Sequence, residues 1–119
     1  MAPVAWLTPA LAASPADTAF QQESKVAMDR MMAGMDVKPS GDVDRDFALM
    51  MIAHHQGAID MAEAELRHGR NEQLRRIARD IVVEQQQQIA AMRLAVGLPA
   101  SAPSAAPAPM APMRHGDRP

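Results

Sequence analysis

The sequence predicts a small all-α protein, an antiparallel bundle of three main helices that stands alone or is completed by dimerisation. Three observations carry this. Apolar residues recur at helical spacing through three long segments. Strong breakers, Pro39-Ser40-Gly41 and Gly69, separate the segments, and Gly97-Leu98-Pro99 ends the last one. The connections are short, which makes successive helices antiparallel neighbours.

The first helix is expected from Pro15 or Thr18 to Met35. Thr18 with Gln21 makes a capping-box pattern, and Phe20, Ser24, Ala27, Met28, Met31 and Met35 form one stripe bordered by Met32. Asp42, Asp44 and Asp46 open the second helix, where carboxylates favour the positive end of the helix dipole. It runs to His68, with Gly69 as its C-cap. At 100° per residue, Gln56, Asp60, Glu63 and Arg67 share a solvent face. Met50, His54, Gly57, Ala58 and Met61 share the opposite side, with Phe47 and Glu65 beside them and His55 at the border of the buried arc. His54 is therefore expected to point inward. Asn71 caps the third helix, which runs to about Val96, and Gln85 lies within its inward stripe. A buried amide needs a hydrogen-bond partner, and an imidazole opposite would serve.

Residues 1–14 read as a disordered arm or a signal-peptide remnant, 15–98 as the helical bundle domain, and 99–119 as a disordered Ala/Pro-rich tail. Ala10-Leu11-Ala12 fits a small-x-small cleavage pattern, but no basic n-region precedes it and Pro9 interrupts the apolar run. An exported, periplasmic location is expected on this weak signal, with the cytoplasm left open. No stretch reaches the roughly 18 apolar residues of a membrane-spanning helix.

Composition narrows the function. The chain of 119 residues has no cysteine, so it has neither a disulfide nor a thiolate site. A net charge of −2 gives no basic footprint for nucleic acid. Methionine is the anomaly: 11 residues, more than leucine, which is normally among the commonest. With Tyr absent and Phe and Trp scarce, methionine is expected to supply much of the core volume.

Those methionines gather around Met50-Met51-Ile52-Ala53-His54-His55. Residues four apart on a helix are neighbours, so Met50 pairs with His54 and Met51 with His55. Thioether is a soft ligand that selects Cu(I), and imidazole also binds copper. Counting back from the two turns sets Met28, Met31, Met32 and Met92 at the depth of Met50, Met51 and His54. Met61 is about 16 Å from Met50 along the axis at ~1.5 Å per residue, so it belongs to a second layer or to plain core. The tail repeats the ligand types in Met110, Met113 and His115.

Asp46-Phe47, the run Met51-Ile52-Ala53-His54-His55-Gln56-Gly57-Ala58-Ile59-Asp60-Met61-Ala62-Glu63, and then Gln85 and Gln88-Ile89-Ala90-Ala91-Met92 together resemble the domain-of-unknown-function 305 family. The resemblance covers about Phe20 to Leu98. It implies a ferritin-like helical fold, frequent export, and in some members periplasmic copper binding. The family usually carries an acidic residue before the later isoleucine, where this chain has Gln88.

The expected function is Cu(I) buffering, handover or resistance, with metal ligands drawn from Met50, Met51, His54, His55, Met28, Met31, Met32, Met61 and Met92, and Gln85 behind them. Expected partners are the copper ion, a second copy of the chain and another copper-handling protein. A methionine stripe is also an ordinary way to fill a core, so a structural or interaction module without metal is the competing reading. Catalysis is not expected. There is no glycine-rich phosphate loop, and the Glu-x-x-His pattern of a diiron site occurs once, at Glu65–His68. His68 reads as a cation at the helix C-terminus, and Glu63–Arg67 and Glu72–Arg76 as surface pairs.

Overall fold

The computed structural model describes residues 2–6 and 13–101, and these contain three α-helices, α1 (Pro15–Met35), α2 (Val43–His68) and α3 (Glu72–Ala95). The all-α expectation holds, with boundaries within a residue or two of those expected. Ala10-Leu11-Ala12 and the cluster Met110, Met113 and His115 lie outside the described residues. No helix among them is long and apolar enough to cross a membrane.

Local chemistry explains each start and stop. The capping box of α1 is not Thr18/Gln21 but Ser14/Asp17. Ser14 Oγ accepts from the Asp17 N–H at 3.1 Å, and the Ser14 N–H donates back to the Asp17 carboxylate at 3.1 Å. Pro15 at the first helical position forces the cap one residue ahead of it. Asp42 caps α2 by accepting from the Arg45 N–H, and Asn71 caps α3 by accepting from the Leu74 N–H. Gly69 ends α2, and Gly97 takes φ +79° just past α3, where a side chain would be strained.

Both flanking helices pack on α2 and not on each other: no Cα of α1 lies within 8 Å of one of α3. The seams explain why. Gly34 of α1 lies against Ala53, and Met31 lies against Gly57, where an added Cβ would sit 2.8 Å from the Met31 Cβ and Sδ. His55, which meets α3, is two residues from both Ala53 and Gly57. At 3.6 residues per turn that is about 160° around the helix. The three helices therefore lie side by side as one antiparallel layer with α2 in the middle.

The buried core is made of alanine. Among the described residues the buried apolar side chains are Ala27, Ala48, Ile59, Ala62, Ala64 and Ala78, and no methionine is fully buried. This corrects the expectation that methionine fills the core. Small side chains bring the helix backbones close, and the long thioethers are left at the margins of each seam.

Register corrects a second expectation. On the α2–α3 side, His55 meets Gln88 and Arg75 caps the Leu66 carbonyl, so Met50 does come level with Met92. On the α1–α2 side, Gly34 meets Ala53 and Glu23 meets Arg67, so Met50 comes level with Lys38 rather than Met31. The connection is the cause. The Ser40 N–H and hydroxyl both bond the Asp46 carboxylate, at 3.0 and 2.7 Å, which folds residues 36–42 back along the start of α2. The first turns of α2 consequently extend past the end of α1.

Candidate metal centre

The ring of His55 is the best-defined polar feature of the α2–α3 seam. His55 is 8% exposed, the sole buried polar residue among those described. Its Nε2 lies 2.5 Å from the Gln88 Oε1 on α3. With that oxygen accepting, Nε2 carries the proton and Nδ1 keeps a bare lone pair. Nδ1 is buried and has no partner, and so is the Oε1 of Gln85, one turn before Gln88. The two atoms lie one turn apart along the seam, and a buried acceptor without a donor, such as Nδ1, is what a cation or a proton donor would satisfy.

Helix register places two thioethers at the level of that lone pair. Side chains on a helix lean toward its N-terminus, so the His55 ring lies over the turn that carries Met51. Met51 and Met92 are both half-buried, and they stand one turn on from His55 and Gln88 on their respective helices. The register that joins His55 to Gln88 brings Met51 and Met92 to one level. An imidazole fixed through its far nitrogen by a neighbour's carbonyl is the arrangement metal-ligating histidines adopt. The residues present fit a soft ion here, and the donor set of one imidazole and two thioethers matches Cu(I).

The other expected ligands stand elsewhere. His54 is exposed, not inward, and its ring centroid lies 6.0 Å from that of His55. His55, placed at the border by the sequence, is the buried one, because α3 covers α2 on His55's side and neither neighbour covers the side of His54. Met50 is also exposed, so Met50 and His54 form a separate pair on an open face. Met28 and Met32 are exposed on α1. Met31 is committed to Gly57, on the far side of α2 from His55, so it cannot share an ion with Met51. Met61 lines an apolar groove with Ala58, Leu74, Ile77 and Ile81. Gln85 is not the imidazole's partner; Gln88 is. A sequence signal for Gln88 was available in its spacing, one turn after Gln85 on α3.

No group of three or more His, Asp or Glu side chains comes together among the described residues, so any centre here depends on thioethers. At the opposite end of the α1–α2 seam, Glu23 receives the Arg67 guanidinium at 3.1 Å and lies 3.0 Å from His68 Nε2. The His68 contact is a close approach without the direction of a good hydrogen bond. The His68 ring and the Arg67 guanidinium, in that order, hold the Glu23 carboxyl below the usual range. His68 therefore pairs across helices as well as facing the helix dipole. Arg67 takes Glu23 rather than Glu63, and Glu72 pairs with Arg75 rather than Arg76.

The fold is that of a small all-α protein with a buried imidazole between two antiparallel helices and two half-buried methionines one turn away. The chain belongs to the family described as Domain of unknown function (DUF305), whose model it matches over residues 5–96. No curated protein matches it.

Proposed function

We propose that this protein binds copper as Cu(I) at the α2–α3 seam and serves in copper buffering, handover or resistance, in the periplasm or otherwise outside the cytoplasm. The observation that supports it is the His55 ring, buried, fixed through Nε2 by Gln88 and left with a bare Nδ1 at the level of Met51 and Met92. A core that needed only volume would use leucine at these positions, which packs more specifically. A bound Cu(I) would supply the positive charge that the bare Nδ1 lacks. Gln88 keeps the ring in one tautomer, and the alanine seams hold both backbones rigidly on either side.

The test is an anaerobic Cu(I) titration against competing chelators, in parallel with zinc. Wild type should hold Cu(I) far more tightly than Zn(II), and should gain thermal stability on loading by mass action. Met51→Leu with Met92→Leu conserves volume and should cost under about 1.5 kcal/mol of apo stability, while weakening Cu(I) binding strongly. His55→Leu should do likewise. Met50→Leu with His54→Leu should weaken binding less. Deleting residues 102–119 should leave helicity unchanged and lower copper stoichiometry only by what Met110, Met113 and His115 hold. Zinc binding as tight as copper, or unchanged Cu(I) affinity in the Met51/Met92 variant, refutes the reading.

A further inference from the structure

A layer of three helices has two broad faces, and here they differ. One carries Gln22, Glu23, Arg30, Asp60, Glu63 and Arg67 along its groove between α1 and α2, and a smaller apolar strip of Leu49, Ile52 and Ile89 between α2 and α3. The other carries Phe47, Met50, His54, Ala58 and Met61 from α2. Met28 and Met32 of α1 lie two residues from Arg30, about 160° around that helix, which puts them on this second face. Leu74, Ile77 and Ile81 of α3 line the groove beside Met61 on the same side. This is the arc of α2 whose sequence pattern reads as buried. In the single chain α1 and α3 go to its flanks and leave it open.

The geometry points to a second copy of this chain as the occupant of that face, in a two-fold dimer that closes the open layer into a two-layer bundle. Helical layers bury their apolar side against another layer, and a two-fold homodimer is the commonest way a soluble chain supplies one. Met28, Met32, Phe47, Met50, Leu74 and Ile77 are each between 38% and 62% exposed. Taking a large side chain as about 200 Å², these six expose on the order of 600 Å². With His54, Ala58 and Met61 between them the face approaches the ~800 Å² per partner of a standard interface. Residues 99–119 are rich in Ala and Pro, a composition with little large apolar side-chain area to lay on such a face. Glu65, the acidic side chain beside the α2 stripe, turns its carboxyl back onto Gly69.

The test is the mass of the full, copper-free chain by sedimentation equilibrium across a hundredfold range of concentration. A dimer is expected, dissociating on dilution to monomer. Leu74→Glu with Ile77→Glu, and separately Phe47→Glu, should give monomers with wild-type helicity, because these side chains are exposed in the single chain. Val83→Glu with Leu94→Glu, exposed on the far side of α3, should remain dimeric. A wild type that stays monomeric throughout, a larger assembly, or a dimer that survives both face variants overturns the inference.

Discussion

Replacing Gln88 by alanine tests the central contact of the site in the absence of metal. In the native chain the His55 Nδ1 is already without a partner, and Nε2 has only Gln88. Removing the amide leaves both ring nitrogens buried and unsatisfied in a residue that is 8% exposed. A buried donor stripped of its acceptor costs about 1–3 kcal/mol. Gln88 itself lies at the surface, so its own loss carries no cavity cost, and alanine slightly favours the helix. The expected net cost is about 2 kcal/mol, which for a domain of this size lowers Tm by roughly 8–16 °C. His55→Leu removes the polar group along with its need and should be neutral or stabilising. Adding Gln88→Ala to His55→Leu should then cost no more than an ordinary surface change, under about 0.5 kcal/mol. Urea unfolding followed by helical circular dichroism, in a copper chelator, measures all four corners of this cycle. A coupling energy of about 1.5 kcal/mol or more is expected between adjacent residues of this kind. If Gln88→Ala costs less than about 0.5 kcal/mol in the wild-type background, or the same in both backgrounds, Gln88 does not hold the ring and the site as described fails.

Two further predictions concern the α1 side. Gly57→Ala should destabilise by about 1 kcal/mol, because overpacking against Met31 outweighs a helix-propensity gain of similar size; in a Met31→Ala background the same change should stabilise, and thermal melts of the four proteins distinguish these signs. The Ser40 hydroxyl and N–H hold the Asp46 carboxyl below its usual range. A lowered folded-state pKa stabilises fully above the unfolded carboxylate value of about 3.9 and is lost as pH falls through the lower folded value. The Tm difference between wild type and Ser40→Ala should therefore be constant above about pH 5 and shrink toward pH 2, and a difference that instead grows in acid contradicts the clamp.

What the sequence made legible was whatever depends on nearby residues. Asp42, Asn71 and Gly69 mark helix ends by chemistry acting over one turn, and the structure keeps them. The α2–α3 register was legible because the connection from Gly69 to Asn71 is too short to wander. The α1–α2 register was not, because the Ser40–Asp46 contact folds the connection back along α2. The faces of α2 were also legible: Met50, His54, Ala58 and Met61 do share one side. Which side a neighbour covers was not, because the packing seams are made of Gly34, Ala53, Gly57 and Ala62. Alanine and glycine carry almost no weight in a hydrophobic pattern, yet they decide where two backbones can approach. That is why His55 and not His54 is the buried imidazole, and why Gln88 rather than Gln85 is its partner.

The separation of α1 from α3 also bears on how the chain comes apart. Each outer helix forms a hairpin with α2, and the two hairpins share that helix and nothing else. Freeing α1 breaks the Gly34–Ala53 and Glu23–Arg67 contacts but exposes no surface of α3. Freeing α3 likewise leaves the α1 hairpin whole. Sub-global opening of either arm is then a cheaper event than unfolding of the whole domain. Every interhelical contact also joins helices that are neighbours in sequence, which is the topology of a fast-folding protein. The copper reading places its ligands on the α2–α3 arm alone, so an ion bound there would anchor one arm directly and leave the other free to open.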